Sequence, residues 1–153
     1  SAKTEQGSLV GLCVMGSIFS EGIDLKGDAL IGAVIIGPGL PMVSTRQEIL
    51  RSYYEKQGKD GFYYAYQCPG MSRVLQAAGR VIRTQEDAGC ILLLDERFCE
   101  DTYRAMFPRE WSGYSLCCLD TFGGQLSDFW QEIEAGKGII SCKTDGDTVD
   151  YKQ

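Results

Sequence analysis

The chain has 153 residues, enough for one domain with its own hydrophobic core, and its 44% hydrophobic and 24% charged residues are near the average of globular proteins. No apolar run approaches the roughly 18 residues that a membrane-spanning helix needs, so we expect no membrane partner. The net charge of −6 argues against a uniformly basic nucleic-acid binder. Because the chain contains no histidine, zinc sites built from cysteine and histidine are excluded.

The cysteines predict neither a metal site nor a disulfide framework. They number seven, no two have C-x-x-C spacing, and they are at positions 13, 68, 90, 99, 117, 118 and 142. An odd number, with several inside apolar runs, favours buried and reduced thiols in a cytoplasmic protein.

Residues 1–8 contain neither an initiator methionine nor the basic and apolar pattern of a signal peptide. We interpret them as a linker or an expression-derived junction, and expect the chain to be an excised piece of a longer protein. The folded domain is expected at residues 9–142. Residues 143–153 are polar and are expected to form a frayed tail.

Three apolar runs have the length of β-strands: residues 9–15, 30–36 and 90–94. The second ends in Gly-Pro-Gly-Leu-Pro at 37–41, which stops regular structure, and the third ends in Asp95. Runs that are apolar at every position predict strands covered on both faces, and hence a parallel sheet flanked by helices.

Helical patterns lie between and after these runs. Ser44 or Thr45 can cap a helix to about residue 56, with Gln47 in capping-box spacing from Ser44. Gly58 and Gly61 are expected to break this helix. Further helices are predicted at 72–83, 100–106 and 120–135, the last with Leu126, Phe129, Trp130 and Ile133 facing inward. The alternation of strands and helices predicts an α/β fold.

Residues 76–83 read Gln-Ala-Ala-Gly-Arg-Val-Ile-Arg. On a continuous helix, Gln76, Arg80 and Arg83 would share one face. Two guanidinium groups and an amide can hold an oxygen-rich anion such as a phosphate, although ordinary solvated helix faces also carry such arginines. Gly79 lowers helix stability by about 1 kcal/mol relative to alanine, which indicates a close approach beside this face.

Residues 16–24, Gly-Ser-Ile-Phe-Ser-Glu-Gly-Ile-Asp, follow the first predicted strand. Small residues at a strand's carboxyl end let backbone amides approach phosphates, although a plain strand-to-helix connection has a similar composition. The acidic pair Asp95 and Glu96 looks like a magnesium-binding strand end, but the chain has no GxxxxGK[ST] phosphate loop. We therefore expect a structural or interdomain role for this pair, with Asp95 bonded to Arg97 or to a neighbouring arginine.

Positive charge is concentrated in the middle of the chain. Residues 46–83 contain seven Lys or Arg and three acidic residues, a net charge of +4, whereas the rest of the chain sums to −10. A local basic face suits a phosphate-bearing partner, and Arg46, Arg51 and Lys56 are candidates for phosphate contacts. A solvated helix surface gives the same count.

The motifs at 16–25, 37–41, 76–83 and 89–97 occur in an order that closely resembles the C-terminal helicase lobe of the XPD/DinG group of superfamily-two helicases. The resemblance covers about residues 9–111. It implies a RecA-like three-layer α/β lobe with a mainly parallel sheet. Because that lobe begins with further elements before residue 9, their loss would leave fewer strands and an exposed sheet edge.

The resemblance implies that ATP and Mg²⁺ are held mainly by an N-terminal lobe of the same protein. It also implies single-stranded nucleic acid, with DNA favoured, as a partner, and no ATP turnover by this chain alone. Residues 16–24 match helicase motif V and residues 76–83 match motif VI. The implied roles are arginine fingers for Arg80 and Arg83, nucleotide contacts for Gly22, Asp24, Gln76 and Gly79, and nucleic-acid contacts for Ser17, Ser20 and Arg73.

Two other interpretations stay open at this point. The chain could be a catalytically inactive RecA-like module that binds a partner or nucleic acid without turnover. It could also be an unrelated α/β domain in which Arg80 and Arg83 bind a small phosphorylated ligand.

Overall fold

The computed structural model of the chain describes residues 9–16, 30–82 and 87–135. The chain divides into two compact units, with the boundary between Arg104 and Ala105. The predicted tail at 143–153 lies outside the described residues.

The first unit contains a parallel sheet of two strands, β1 (Gly32–Ile36) and β2 (Cys90–Leu94). Gly32 lies opposite Cys90 and Ile36 lies opposite Leu94. Both strands fall within predicted apolar runs, and they pair in the predicted parallel direction. The three-layer architecture stays a prediction.

The expectation that each strand is covered on both faces is wrong for β1. Ile35 is buried, whereas Val34 and Ile36 are 61% and 75% exposed. Successive side chains of a strand point to opposite faces, so one face of β1 packs inward and the other faces solvent.

The strand predicted at residues 9–15 is also wrong, because residues 9–14 are irregular and Met15 begins a turn. Leu9 and Leu12 are 96% and 97% exposed. An apolar run becomes a strand only when a neighbour satisfies its backbone N–H and C=O groups. Within the part of the chain that the structure describes, β1 and β2 pair only with each other.

Helix α1 (Thr45–Lys56) begins as predicted, with Ser44 as its N-cap. The Ser44 hydroxyl accepts a hydrogen bond from the Gln47 amide at 3.4 Å. The Gln47 side chain does not complete a capping box, and instead donates to the carbonyl oxygen of Ala65 at 2.7 Å. The helix ends at Lys56, and Gly58 turns the chain with a φ of +71°.

The next helical stretch starts at Gly61, and includes a π-helical turn (Tyr63–Gln67) and helix α2 (Cys68–Ala78). Gly61 is therefore not a helix breaker, and the predicted start at residue 72 is too late. Pro69 lies in the first turn of α2, where its missing N–H is tolerated. Pro69 cannot donate to the Ala65 carbonyl four residues earlier, and Gln47 supplies that hydrogen bond from α1.

Helix α2 ends at Ala78, so the predicted end at residue 83 is also wrong. Gly79 is the C-cap, and its amide donates to the Leu75 carbonyl at 2.9 Å. Arg80 and Val81 then continue in tight turns. The buried face of α2 repeats at Met71, Val74 and Ala78, the spacing of one helix stripe.

After β2, a 3₁₀ turn (Glu96–Cys99) leads into the short helix α3 (Asp101–Arg104), close to the helix predicted at 100–106. The buried core of the first unit consists of Ile35, Ala65, Tyr66, Met71, Val74, Ala78, Val81, Phe98 and Tyr103.

The second unit contains a 3₁₀ turn (Arg109–Trp111) and helix α4 (Leu119–Glu134), which confirms the helix predicted at 120–135. The four side chains predicted to face inward are all half-buried. Phe107 packs edge-to-face against Trp111 and Tyr114, with centroid distances of 5.3 and 5.6 Å.

The expectation of buried thiols is wrong for the six cysteines in the described ranges. None of the six forms a disulfide and none is fully buried, because Cys68 and Cys90 are half-buried and the other four are exposed. None of the helices among the described residues has the length and apolar character needed to cross a membrane.

Candidate functional site

The two strands define two edges of the sheet, because β1 and β2 run parallel and in register. At the carboxyl edge, β1 continues into residues 37–41 and β2 into Asp95. At the amino edge, Ile31 precedes β1 and Gly89 precedes β2. Helix α2 runs opposite to the strands, since Gly70 in its first turn lies against Pro38, whereas Val81 beyond its last turn lies against Gly89. The two edges therefore lie at opposite ends of α2.

The carboxyl edge is held to α2 by close packing and one hydrogen bond. A Cβ atom on Gly70 would lie 2.5 Å from the carbonyl oxygen of Pro38, so only glycine permits this approach. Nη1 of Arg73 donates a hydrogen bond to the carbonyl oxygen of Gly39 at 3.1 Å. Gly39 has a φ of +60°, a conformation that favours glycine. The loop after β1 and the first turns of α2 thus form one packed structure.

A third segment, the turn at Met15 and Gly16, lies against the same place. The terminal methyl carbon of Met15 is 3.0 Å from the position of a Cβ on Gly39. Gly16 has a φ of +83°, and a Cβ there would lie 3.7 Å from Nε of Arg73. The half-buried Arg73 side chain therefore lies beside the turn and is hydrogen-bonded to the loop after β1. Gly16 directly precedes Ser17, a predicted nucleic-acid contact.

Asp95 and Arg97 form a bidentate ion pair beside this loop, as the sequence suggested. Nε and Nη2 of Arg97 donate to the two carboxylate oxygens of Asp95 at 2.7 Å each, and the Arg97 amide donates to Oδ1 at 3.0 Å. The side-chain hydrogen bonds from Arg97 lower the pKa of Asp95 and raise the pKa of Arg97. Both carboxylate oxygens are engaged within the protein, which supports a structural role.

The amino edge is built from apolar contacts. Val81 is 3% exposed, and its methyl group occupies the space that a side chain on Gly89 would need. The Cys90 amide donates to the Ile31 carbonyl at 3.1 Å and joins the two chain segments that lead into the strands. Val81 therefore fixes the position of its neighbour Arg80 relative to the sheet.

The prediction that Gln76, Arg80 and Arg83 share one face of a continuous helix is wrong. Because α2 ends at Ala78, Arg80 follows the C-cap and is not part of a continuous stripe with Gln76. Gln76 is exposed on the helix and Arg80 is half-buried in the turn after it. Gly79 serves as the cap itself, and a Cβ there would lie 3.2 Å from the Leu75 carbonyl.

Five predicted site residues lie outside the described residues and stay predictions: Ser17, Ser20, Gly22, Asp24 and Arg83. The structure brings Arg73 together with Gly16 at the carboxyl edge, and it places Arg80 at the amino edge.

The donors near the amino edge suit a phosphate group. A guanidinium and an amide, from Arg80 and Gln76, present N–H groups that bind anionic oxygens. Among the described residues, no group of three or more Asp, Glu, Cys or His side chains is placed to hold a metal ion. Arg80 and Gln76 could therefore contact the phosphates of a nucleotide.

Sequence reasoning missed an aromatic cluster beside α1. Tyr54 stacks on Tyr64 with a centroid distance of 4.3 Å, and Nζ of Lys59 lies 5.9 and 5.7 Å from the two ring centroids. The signal was present as tyrosines on both sides of the turn at 57–60, but their pairing depends on the angle between two helices.

The basic residues predicted to contact phosphates lie on α1. Arg46 and Lys56 are exposed. Nε of Arg51 donates to Oε1 of Glu55 at 2.8 Å, and this bond raises the pKa of Arg51. Glu55 therefore offsets part of the charge of the predicted basic face.

Comparison with known proteins gives a match to the helicase C-terminal domain over residues 2–114. The probable ATP-dependent helicase MJ0942 of Methanocaldococcus jannaschii is 29% identical over 121 residues, which are 72% of this chain and 19% of that protein. The ATP-dependent DNA helicase DinG of Photobacterium profundum is 36% identical over 87 residues, 56% of this chain and 12% of that protein.

The regulator of telomere elongation helicase 1 homolog of Caenorhabditis elegans is 29% identical over 154 residues, 93% of this chain and 15% of that protein. The chain thus spans a fifth or less of the length of these curated relatives.

Proposed function

The chain belongs to the helicase C-terminal domain family, and from this premise we propose that it is the C-terminal motor lobe of an ATP-dependent DNA helicase. The relatives named as ATP-dependent helicases support this assignment. The motif at 37–41 follows β1 at the carboxyl edge of the sheet, whereas Val81 in the motif at 76–83 packs at the amino edge. The observation that carries the proposal is the family match together with Arg80, which a buried valine fixes beside the amino edge.

In this proposal, ATP and Mg²⁺ are held mainly by an N-terminal lobe of the same polypeptide. Arg80 and Arg83 act as arginine fingers when the two lobes close. As the γ-phosphoryl group is transferred to water, negative charge accumulates on its oxygens. A guanidinium placed against these oxygens stabilises the transition state and raises the rate by about 10³- to 10⁵-fold. Magnesium, when bound, neutralises charge on the β- and γ-phosphate oxygens.

The remaining predicted residues divide between the two ligands. Gly22, Asp24, Gln76 and Gly79 are assigned to the nucleotide, and Ser17 and Ser20 to the backbone of the nucleic acid. The position of Gly16 at the carboxyl edge supports the second assignment, because Ser17 follows it directly.

The first experiment measures ATP hydrolysis by this chain alone and by the intact protein, each with and without single-stranded DNA. We expect no turnover by the chain alone and DNA-stimulated turnover by the intact protein. If the intact protein is inactive under both conditions, the assignment changes to a RecA-like interaction module. Free ATP bound tightly by the chain alone would instead favour a small-ligand phosphate site.

Replacing Arg83 by alanine in the intact protein tests the arginine-finger role. We expect kcat to fall by about 10³-fold or more, whereas the Kd for ATP changes only a few-fold, because finger contacts strengthen mainly in the transition state. Arg109→Ala is a matched control, since Arg109 is exposed in the second unit. Near-normal turnover by the Arg83 variant would remove this residue from the chemistry.

A further inference from the structure

Arg73 lies where three separate chain segments meet. It belongs to α2, it donates a hydrogen bond to the Gly39 carbonyl in the loop after β1, and its Nε faces the turn at Gly16. We propose that Arg73 is a positioning residue that links the carboxyl edge to α2, in place of the direct nucleic-acid contact predicted from the sequence. This inference rests on the function proposed above.

The surroundings of Arg73 favour a structural use of its guanidinium. The side chain is half-buried, and one of its N–H groups is donated to a backbone carbonyl. Gly16 and Gly39 both have positive φ values and lack a side chain where Arg73 and Met15 pass. A planar, multidentate donor suits this place, because it can contact two backbone segments at once.

The link has a mechanical consequence, because α2 is stiff and leads to the other edge. Residues 73 to 78 span about 7.5 Å along the helix axis, and Gly79 and Arg80 follow directly. Gly70 packs against the Pro38 carbonyl and Val81 packs against Gly89, so both ends of α2 are fixed to the sheet. A shift of the turn at Gly16 would therefore be passed through Arg73 to α2 and on to Arg80.

This arrangement links the turn that precedes Ser17, which is assigned to nucleic acid, to Arg80, which is assigned to the nucleotide. Arg73 would then affect how strongly bound DNA stimulates ATP turnover, and it would not affect how tightly DNA binds. A phosphate contact predicts the reverse, since each lost contact weakens binding and reduces its salt dependence.

The test uses the intact protein with Arg73→Gln, Arg73→Lys and Arg109→Gln, the last as a matched loss of charge at an exposed site. We measure kcat at saturating single-stranded DNA, and the Kd of a DNA oligonucleotide as a function of salt. For Arg73→Gln we expect kcat to fall roughly ten-fold, with the Kd and its salt slope unchanged. Arg73→Lys should recover part of the loss, because an ammonium group can still donate to the Gly39 carbonyl but does not have the planar shape of the guanidinium.

Weaker DNA binding with a salt slope lower by about one would identify Arg73 as a phosphate contact and overturn the proposal. Wild-type kcat in Arg73→Gln, or a Lys variant as impaired as the Gln variant, would also overturn it. Thermal unfolding of each variant shows whether the lobe is still folded. If Arg73→Gln is unfolded, the test is made with Arg73→Lys.

A second measurement does not depend on helicase activity. Hydrogen–deuterium exchange compares peptides that cover residues 9–16 and 37–41 in the wild type and in Arg73→Gln. We expect faster exchange in both peptides of the variant, and unchanged exchange would refute the link itself. A wild-type protein without DNA-stimulated turnover would refute the proposed function. The exchange measurement would still test the structural link made by Arg73.

Discussion

The two edges of the sheet are stabilised by different kinds of interaction. The carboxyl edge combines the close packing of Gly70 against Pro38 with polar contacts, namely the Arg73 hydrogen bond to Gly39 and the ion pair between Asp95 and Arg97. The amino edge depends on the buried methyl groups of Val81 against Gly89. Hydrogen bonds to loops can be exchanged for bonds to water at modest net cost, whereas a buried side chain cannot move without opening a cavity. The comparison indicates that the polar loops of the carboxyl edge can adapt around one rigid packing contact at Gly70, whereas the amino edge is rigid at Val81.

The largest loss of stability is expected at Gly70, where α2 packs directly against the carboxyl edge. Gly70→Ala places a methyl group against the Pro38 carbonyl, and we expect a loss of about 3 kcal/mol in the free energy of unfolding, the upper range for overpacking. Urea denaturation of the chain measures this loss. Gly124→Ala in α4 is the control, because nothing lies within 4 Å of its added Cβ, and it should stabilise the helix by up to about 1 kcal/mol.

If Gly70→Ala does not change the free energy of unfolding, the loop at Pro38 can move to accommodate a methyl group. The contact between Gly70 and Pro38 would then not fix the position of α2.

A smaller effect is expected at the amino edge. Val81→Ala removes two buried methyl groups, and we expect a loss of about 2 kcal/mol. Gly89→Ala should also destabilise the wild type, because its methyl group would collide with Val81. In the Val81→Ala background the same change should cost much less. Additive effects in this double-mutant cycle would show that the two residues do not share the same space.

Most of the α/β pattern could be predicted from the sequence. The strand at 90–94, the N-cap at Ser44 and the helix after Cys118 follow from local residue types, and the structure agrees. The helix predicted at 72–83 started too late, because the structure continues the helix through Pro69 and Gly70, residue types that often end helices. Recognising that they do not end it here requires knowing that Pro38 and Gln47 lie beside them, which is tertiary information.

The candidate site was predicted less completely. The motif at 76–83 identified Arg80 and Gln76, but a helical face drawn through Gly79 assumed that the helix continues, whereas this glycine ends it. The strand at 9–15 failed for a related reason, since hydrophobicity does not specify a hydrogen-bonding partner. Arg73 was predicted to contact nucleic acid, and its hydrogen bond to Gly39 could not be foreseen because Gly39 lies far from it in the sequence.

The smallest stability effect is expected at the ion pair on the carboxyl edge. Asp95→Asn should lower the free energy of unfolding by about 1 kcal/mol at neutral pH, because the pair is partly exposed. Folding lowers the pKa of Asp95 below its ordinary value of 3.8. The contribution is therefore complete above pH 3.8 and is lost as the pH falls through the lowered pKa in the folded state.

Unfolding curves of the wild type and of Asp95→Asn should accordingly converge in acid. A difference between the two proteins that stays constant down to pH 2 would show that the carboxylate charge is not what stabilises this edge.

The π-helical turn at Tyr63–Gln67 also bears on how homologous sequences are aligned. A π turn contains one residue more than an α turn along the same path. A relative with one residue fewer can close this turn as an ordinary α-helix without moving the contacts that begin at Gly70. A single-residue gap between such sequences therefore belongs within 63–67, and a gap placed after Pro69 would shift every contact of α2 with the sheet.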